Sequence, residues 1–186
     1  MLAAIPGIKD LAMTTNGILL DKMAQPLKDA GLKRVNISLD TIDPVKYSTI
    51  TRGGDIQAVF RGIEAARVAG LSPVKINCVL FSGSDRTDAD RVKEFCRSQG
   101  LEIRFIRQMN LITGEFSVVE GGEGGNCRQC NRIRLTANGM VKPCLFDEQE
   151  FPVRELGARQ AILNAIAHKP LKGCTNRQGS FYNIGG

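Results

Sequence analysis

Between residues 8 and 109 the chain repeats one theme: a short β-branched or apolar run, a turn, then a longer stretch with apolar residues spaced at three and four. The short runs predict strands at Asp10 to Thr14, Arg34 to Leu39, Val74 to Phe81 and Glu102 to Met109. The longer stretches predict helices at Leu19 to Ala30, Gln57 to Ala69 and Asp88 to Gln99. Gly31, Gly70 and Gly100 fall just past the three helix ends, where a left-handed cap is wanted. Strands alternating with helices build parallel βαβ units, so this part is α/β. Four parallel strands do not close a barrel; the sheet is either small and open or part of something larger.

After Met109 the pattern dissolves into a glycine-rich stretch with Gly114, Gly121, Gly122, Gly124 and Gly125. Its GGEGG string reads as a flexible connector. A cysteine-bearing segment follows from Asn126 to Asp147, then a helical stretch from Val153 to His168 and a polar tail. The expected division is an α/β part over residues 1–110, a linker over 111–125 and a C-terminal segment over 126–186.

Composition narrows the function classes. The 186 residues are 42% hydrophobic and 24% charged, enough for a sizeable core and against disorder. No apolar run reaches the roughly 20 residues of a bilayer span. The six cysteines are too sparse for a disulfide-stapled mini-protein. Met1 to Pro6 is apolar but has no basic leader, so the expected compartment is a reducing cytoplasm, where clustered cysteines more often hold metal than disulfides. A net charge of +6 suits an anionic partner such as a nucleotide. Aromatic residues are only 5%, with no tryptophan, which disfavours a single-strand nucleic-acid platform.

Cys127 and Cys130 stand with two residues between them, Cys144 follows after thirteen more, and Arg132 and Arg134 lie just behind the pair. Two thiolates on a tight turn and a third from a returning strand can converge on one metal. The single histidine, His168, is distant in sequence, and Cys174 is the only further cysteine downstream. Three cysteines without a clear fourth ligand favour an iron–sulfur cluster over a structural zinc, which is closed by four protein groups. Cys78 and Cys96 sit among apolar neighbours and read as core residues. The predicted strand ends carry Thr14-Thr15-Asn16-Gly17, Ser38-Leu39-Asp40 and Gln108-Met109-Asn110, polar fingers where α/β sheets place ligands. Lys75 and Arg104, inside predicted strands, require an anionic partner if buried.

Taken together, TTNG at Thr14 to Gly17, VNISLD at Val35 to Asp40, VKINCVL at Val74 to Leu80, EIRFI at Glu102 to Ile106, CRQCNRIRLTANGMVKPCLF at Cys127 to Phe146 and IGG at Ile184 to Gly186 resemble the GTP 3′,8-cyclase family of radical S-adenosylmethionine enzymes. TTNG and SLD alone indicate only a radical S-adenosylmethionine barrel; the cysteine run and the terminal glycine pair are the more specific part. The resemblance implies a partial TIM-type barrel of parallel strands with a C-terminal cluster segment. It implies a lyase of molybdenum cofactor biosynthesis that converts GTP to 3′,8-cyclo-7,8-dihydro-GTP with S-adenosylmethionine as radical source. By the same resemblance, Cys127, Cys130 and Cys144 are ligands of an auxiliary [4Fe–4S] cluster. Thr14, Lys75, Arg104, Arg132 and Arg134 are GTP contacts, Ser38 and Met109 hold S-adenosylmethionine, and Gly185 and Gly186 form a tail that reaches into the site.

Two departures stand out. The family's CxxxCxxC run, which binds the radical-generating cluster, is not in these residues: no cysteine precedes Cys78. Only seventeen residues separate Met109 from Cys127, where family members carry several dozen more, and Phe181 stands where the family often has methionine, although Arg177 is kept. The chain is therefore expected to be an N-terminally and internally shortened member that does not generate the radical alone. A non-catalytic metal- and nucleotide-binding module, or a remnant, is the alternative. The open edges of an incomplete sheet invite a second chain, a further segment or a second copy.

Overall fold

A computed structural model describes residues 1–81, 86–110, 112–114 and 116–173. They fall into two compact units, Met1–Ile106 and Arg107–Gly186. No helix among the described residues is long and apolar enough to cross a membrane.

The first unit contains β1 (Ala12–Thr15), α1 (Leu20–Asp29), β2 (Arg34–Ser38), α2 (Pro44–Thr51), α3 (Ile56–Val68), β3 (Val74–Leu80), α4 (Thr87–Gln99) and β4 (Glu102–Arg107), the last ending at the boundary. The strands form one open sheet in the order β1-β2-β3-β4. β1 and β3 both run parallel to β2. Alternation along the strands divides its two faces. Val35, Ile37, Val74, Ile76 and Cys78 are buried and pack with Leu20, Val59, Ile63, Val92 and Cys96 of the helices. Each such apolar side chain contributes about 1.5–3 kcal/mol of transfer free energy. The opposite face carries Thr14, Asn36, Ser38, Lys75 and Asn77: Thr14 pairs with Asn36, Asn36 with Lys75 and Ser38 with Asn77.

The glycines expected as caps have the required backbone, with φ of 97° at Gly31, 72° at Gly70 and 65° at Gly100. One helix lies outside the periodicity reading. α2 starts at an N-cap, Asp43, whose carboxylate accepts from the Val45 and Lys46 N–H groups at 2.9 Å, and Pro44 opens its first turn. Its sequence PVKYSTIT buries only Tyr47, so no apolar stripe announces it.

In the second unit a 3-10 turn, Cys127–Gln129, precedes a three-stranded antiparallel sheet of β5 (Arg134–Leu135), β6 (Met140–Lys142) and β7 (Phe151–Pro152). The helix α5 (Val153–Ala167) follows and is broken at Gly157, whose φ of 77° is not helical. Val141, Ala161 and Ala165 form a small core with Phe151 and Val153. The glycine-rich stretch before it closes a turn: the Val119 N–H donates to the Gly124 carbonyl at 2.9 Å, and Val119 is buried.

Candidate functional site

The polar sheet face gathers four of the candidate residues. The Lys75 ammonium stands 2.6 Å from the Glu102 carboxylate, which puts Glu102 of β4 on that face and, by alternation, Arg104 as well. Thr14, exposed at the end of β1, accepts weakly from Asn36 Nδ2 at 3.5 Å. Arg34 reaches the other end of the same amide at 3.4 Å while it grips Asp10 at 2.6 and 2.9 Å. Ser38 is exposed one step further along β2, beside Asn77. Two polar atoms on this face, Asn77 Oδ1 and Arg104 Nε, are buried with no hydrogen-bond partner among the described residues.

At the sheet end, the Asp40 carboxylate accepts from the Val79 N–H at 2.7 Å and ties the end of β2 to β3. Burial raises its pKa above the ordinary value, although that N–H works in the opposite direction. Gly17, with φ of 83°, turns the TTNG loop. α3 approaches this loop so closely that a methyl group on Gly62 would overlap the Gly17 carbonyl oxygen.

The second group is built by two tight turns. The Cys130 N–H donates to the Cys127 carbonyl at 3.2 Å, folding the pair onto one side. A hairpin then returns the chain: Met140 N–H donates to Thr136 Oγ1 at 2.9 Å, Gly139 N–H donates to the Thr136 carbonyl at 3.0 Å, and Gly139 takes φ of 84°. This return sets Cys144 on the same cavity as Cys127 and Cys130, a space of about 60 Å³ also lined by Phe116, Arg132, Arg134, Phe146 and Lys169. The three cysteines line one cavity, yet no group of three histidine, cysteine or acidic side chains among the described residues is gathered as a ligand set.

Cations surround these thiols. Burial pushes the Cys130 thiol up, but the Arg132 N–H and the charges of Lys169 and Arg132 outweigh it, and the net shift is downward. Burial lowers Arg134, opposed by Cys144 and Cys130 beside it. Cys78 and Cys96, by contrast, are core thiols pushed up by burial to about 12 and about 11. Thiolate is the form in which a cysteine ligates metal, and the cations beside Cys130 favour that form.

Met109 lies beyond the end of β4 and is half-buried. Gly185, Gly186, Cys174, Arg177 and Phe181 lie outside the described residues. Lys169 is a site residue that the sequence does not announce. Its ammonium, just past α5, donates to the carbonyls of Arg132 at 2.6 Å and Pro143 at 2.8 Å, straddling the cysteine turn and the returning strand. Asn36 and Asn77 were open to the period-two alternation that marks Lys75.

An open parallel α/β sheet with polar strand ends and a cysteine-lined C-terminal unit suits a radical S-adenosylmethionine type of protein, and comparison with known families shows that class. The Radical SAM superfamily matches residues 1–96, and Molybdenum Cofactor Synthesis C matches residues 102–178. The GTP 3′,8-cyclase of Alkaliphilus oremlandii is 34% identical over 220 residues, covering 92% of this chain and 69% of that protein. That of Thermodesulfovibrio yellowstonii is 35% identical over 222 residues, covering 91% and 69%. That of Moorella thermoacetica is 37% identical over 213 residues, covering 89% and 66%. The chain belongs to the GTP 3′,8-cyclase family of radical S-adenosylmethionine proteins. The matched span of 220 residues takes in only 92% of the 186 present here, so the relative carries several dozen residues inside it that this chain does not.

Proposed function

We propose that this chain carries the substrate side of the reaction that converts GTP to 3′,8-cyclo-7,8-dihydro-GTP in molybdenum cofactor biosynthesis. The observation that carries this reading is the placement of Cys127, Cys130 and Cys144 on one cavity rimmed by Arg132, Arg134 and Lys169. In this reading the three thiolates hold an auxiliary [4Fe–4S] cluster. When bound, that cluster supplies an iron with a free coordination position for the guanine of GTP. Arg132 and Arg134 bind the nucleotide's acceptor oxygens through their guanidinium forks. In the first unit, the family resemblance assigns Lys75, Arg104 and Thr14 as further GTP contacts. Ser38 and Met109 hold S-adenosylmethionine. The chain's work is to orient the two ligands and exclude water from the reacting sugar. Its cytoplasmic placement rests on thiols that must remain free to bind iron.

Within these 186 residues no cysteine precedes Cys78, so the radical-generating cluster is assigned to sequence outside them, in a preceding segment or a second chain. Anaerobic reconstitution of the 186-residue chain is expected to give about four iron and four sulfide per chain. With S-adenosylmethionine, GTP and reductant, no 5′-deoxyadenosine is expected. One zinc per chain, or no metal, overturns the cluster; clear 5′-deoxyadenosine formation overturns the assignment of radical generation elsewhere.

A further inference from the structure

Resting on that reading, we infer that Lys169 is a positioning residue for the cysteine ligands: its ammonium ties the cysteine turn to the returning strand and holds a donor and a positive charge beside Cys130. The two carbonyls it bonds stand next to two of the three thiols. Arg132, whose carbonyl accepts at 2.6 Å, lies two residues past Cys130, and Pro143, whose carbonyl accepts at 2.8 Å, immediately precedes Cys144. The β5–β6 ladder does not reach that far. It pairs Leu135 with Val141 and Arg134 with Lys142, and the next residue on β6's side is Pro143, which has no N–H to continue it. Lys169 supplies the missing donors from a third element: it follows α5, whose Ala161 and Ala165 pack with Val141, and its own N–H donates to the Ile166 carbonyl at 3.2 Å.

An ammonium has three donors and no acceptor. Two are engaged by the carbonyls in charge-assisted bonds. The third faces sulfur, since a hydrogen bond from Lys169 and its charge both favour the Cys130 thiolate. None is left for a phosphate oxygen, so Lys169 acts through the ligands and not on the nucleotide. Partners of this kind orient metal ligands and tune the group they hold. Reduction adds negative charge to a cluster, so a cation and a donor at its sulfur favour the reduced state and raise the midpoint potential.

The test is a variant series in the anaerobically reconstituted 186-residue chain, with two readouts: iron retention in competition with a chelator, and the midpoint of a potentiometric titration followed by electron paramagnetic resonance. Lys169→Met, without charge or donors, is expected to hold iron about 10–100-fold less tightly and to show a lower midpoint. Lys169→Gln keeps donors without the charge; it should hold iron better than Lys169→Met and keep the low midpoint. Lys169→Arg keeps both and should stay near the unsubstituted chain in both readouts. Where Lys169→Met takes up no iron, the glutamine and arginine variants make the comparison. A midpoint unchanged in the neutral variants overturns the inference and leaves Lys169 a backbone tie alone, as does an arginine variant whose midpoint falls as far as theirs. Unchanged iron retention and midpoint with weakened GTP binding also overturns it, and makes Lys169 a nucleotide contact. If the unsubstituted chain takes up no iron and sulfide, the proposed function itself fails.

Discussion

Asp40 holds a carboxylate where burial favours its neutral form, and its contribution to stability therefore has a definite sign. The native pKa lies above the ordinary value near 3.8, so between those two values the folded chain binds more protons than the unfolded one. Stability then falls as pH rises through that window, and above it the ionised group remains a cost. The neighbouring titratable groups, Tyr47 and Cys78, are both raised and stay neutral throughout. Asp40→Asn keeps an oxygen for the Val79 N–H and removes the charge. Urea unfolding of this variant is expected to be less dependent on pH above 4 and to show higher stability at pH 7; an unchanged pH slope refutes the argument. At the same scale, legibility divides by how each residue is placed. That Cys127, Cys130 and Cys144 come to one cavity was readable because a two-residue spacing and a thirteen-residue return suit turns that Gly139 and Thr136 make locally. Lys169 was not, because it reaches its two carbonyls only after the whole of α5 has folded back.

Strand and helix periodicity located the alternating elements of the first unit because each lays one apolar face on a shared core. It missed α2, whose start is written in a different code: Asp43 capping two N–H groups and Pro44 in the first turn. It also gave no hint that α5 breaks at Gly157. α3 joins fold to site most directly, because Gly62 lets its backbone lie against the Gly17 carbonyl that ends the TTNG loop. Gly62→Ala sets two effects against each other. A mid-helix alanine gains about 1 kcal/mol of helix propensity. Overpacking costs about 1–3 kcal/mol, and here the methyl meets backbone oxygen and, at 3.1 Å, Leu20 Cβ, rather than the yielding end of a long side chain. The contact should win: the urea midpoint is expected to fall, and GTP affinity with it as Thr14 shifts. A stabilised variant with unchanged affinity would show that the loop gives way freely.

The two units differ in what they can hold together unaided. The first buries eighteen residues in one cluster running from Leu20 to Cys96. Among the described residues the second gathers three in its cluster, Val141, Ala161 and Ala165, with Val119 and Phe146 buried apart from it, and its largest fully buried side chain is a charged one, Lys142, 3.0 Å from Glu150. A buried ion pair adds little net stability because both charges lose water, yet it is costly to break, about 3–5 kcal/mol. A core this small normally draws on a further constraint, and in the proposed reading metal binding to three thiolates would supply folding free energy directly, because the unfolded chain has no preformed site. The α/β half was legible from its own pattern; in the small unit the helical stretch from Val153 was legible in the same way, while its strands of two and three residues are too short to carry a pattern. Removing iron with a chelator should therefore act on one unit alone. Hydrogen exchange is expected to quicken across residues 127–144 while β2 and β3, at the centre of the sheet, keep their protection. Equal loss in both units would show that the first also needs the cluster, and no change in either would show that the second is held by its small core and the Lys142–Glu150 pair.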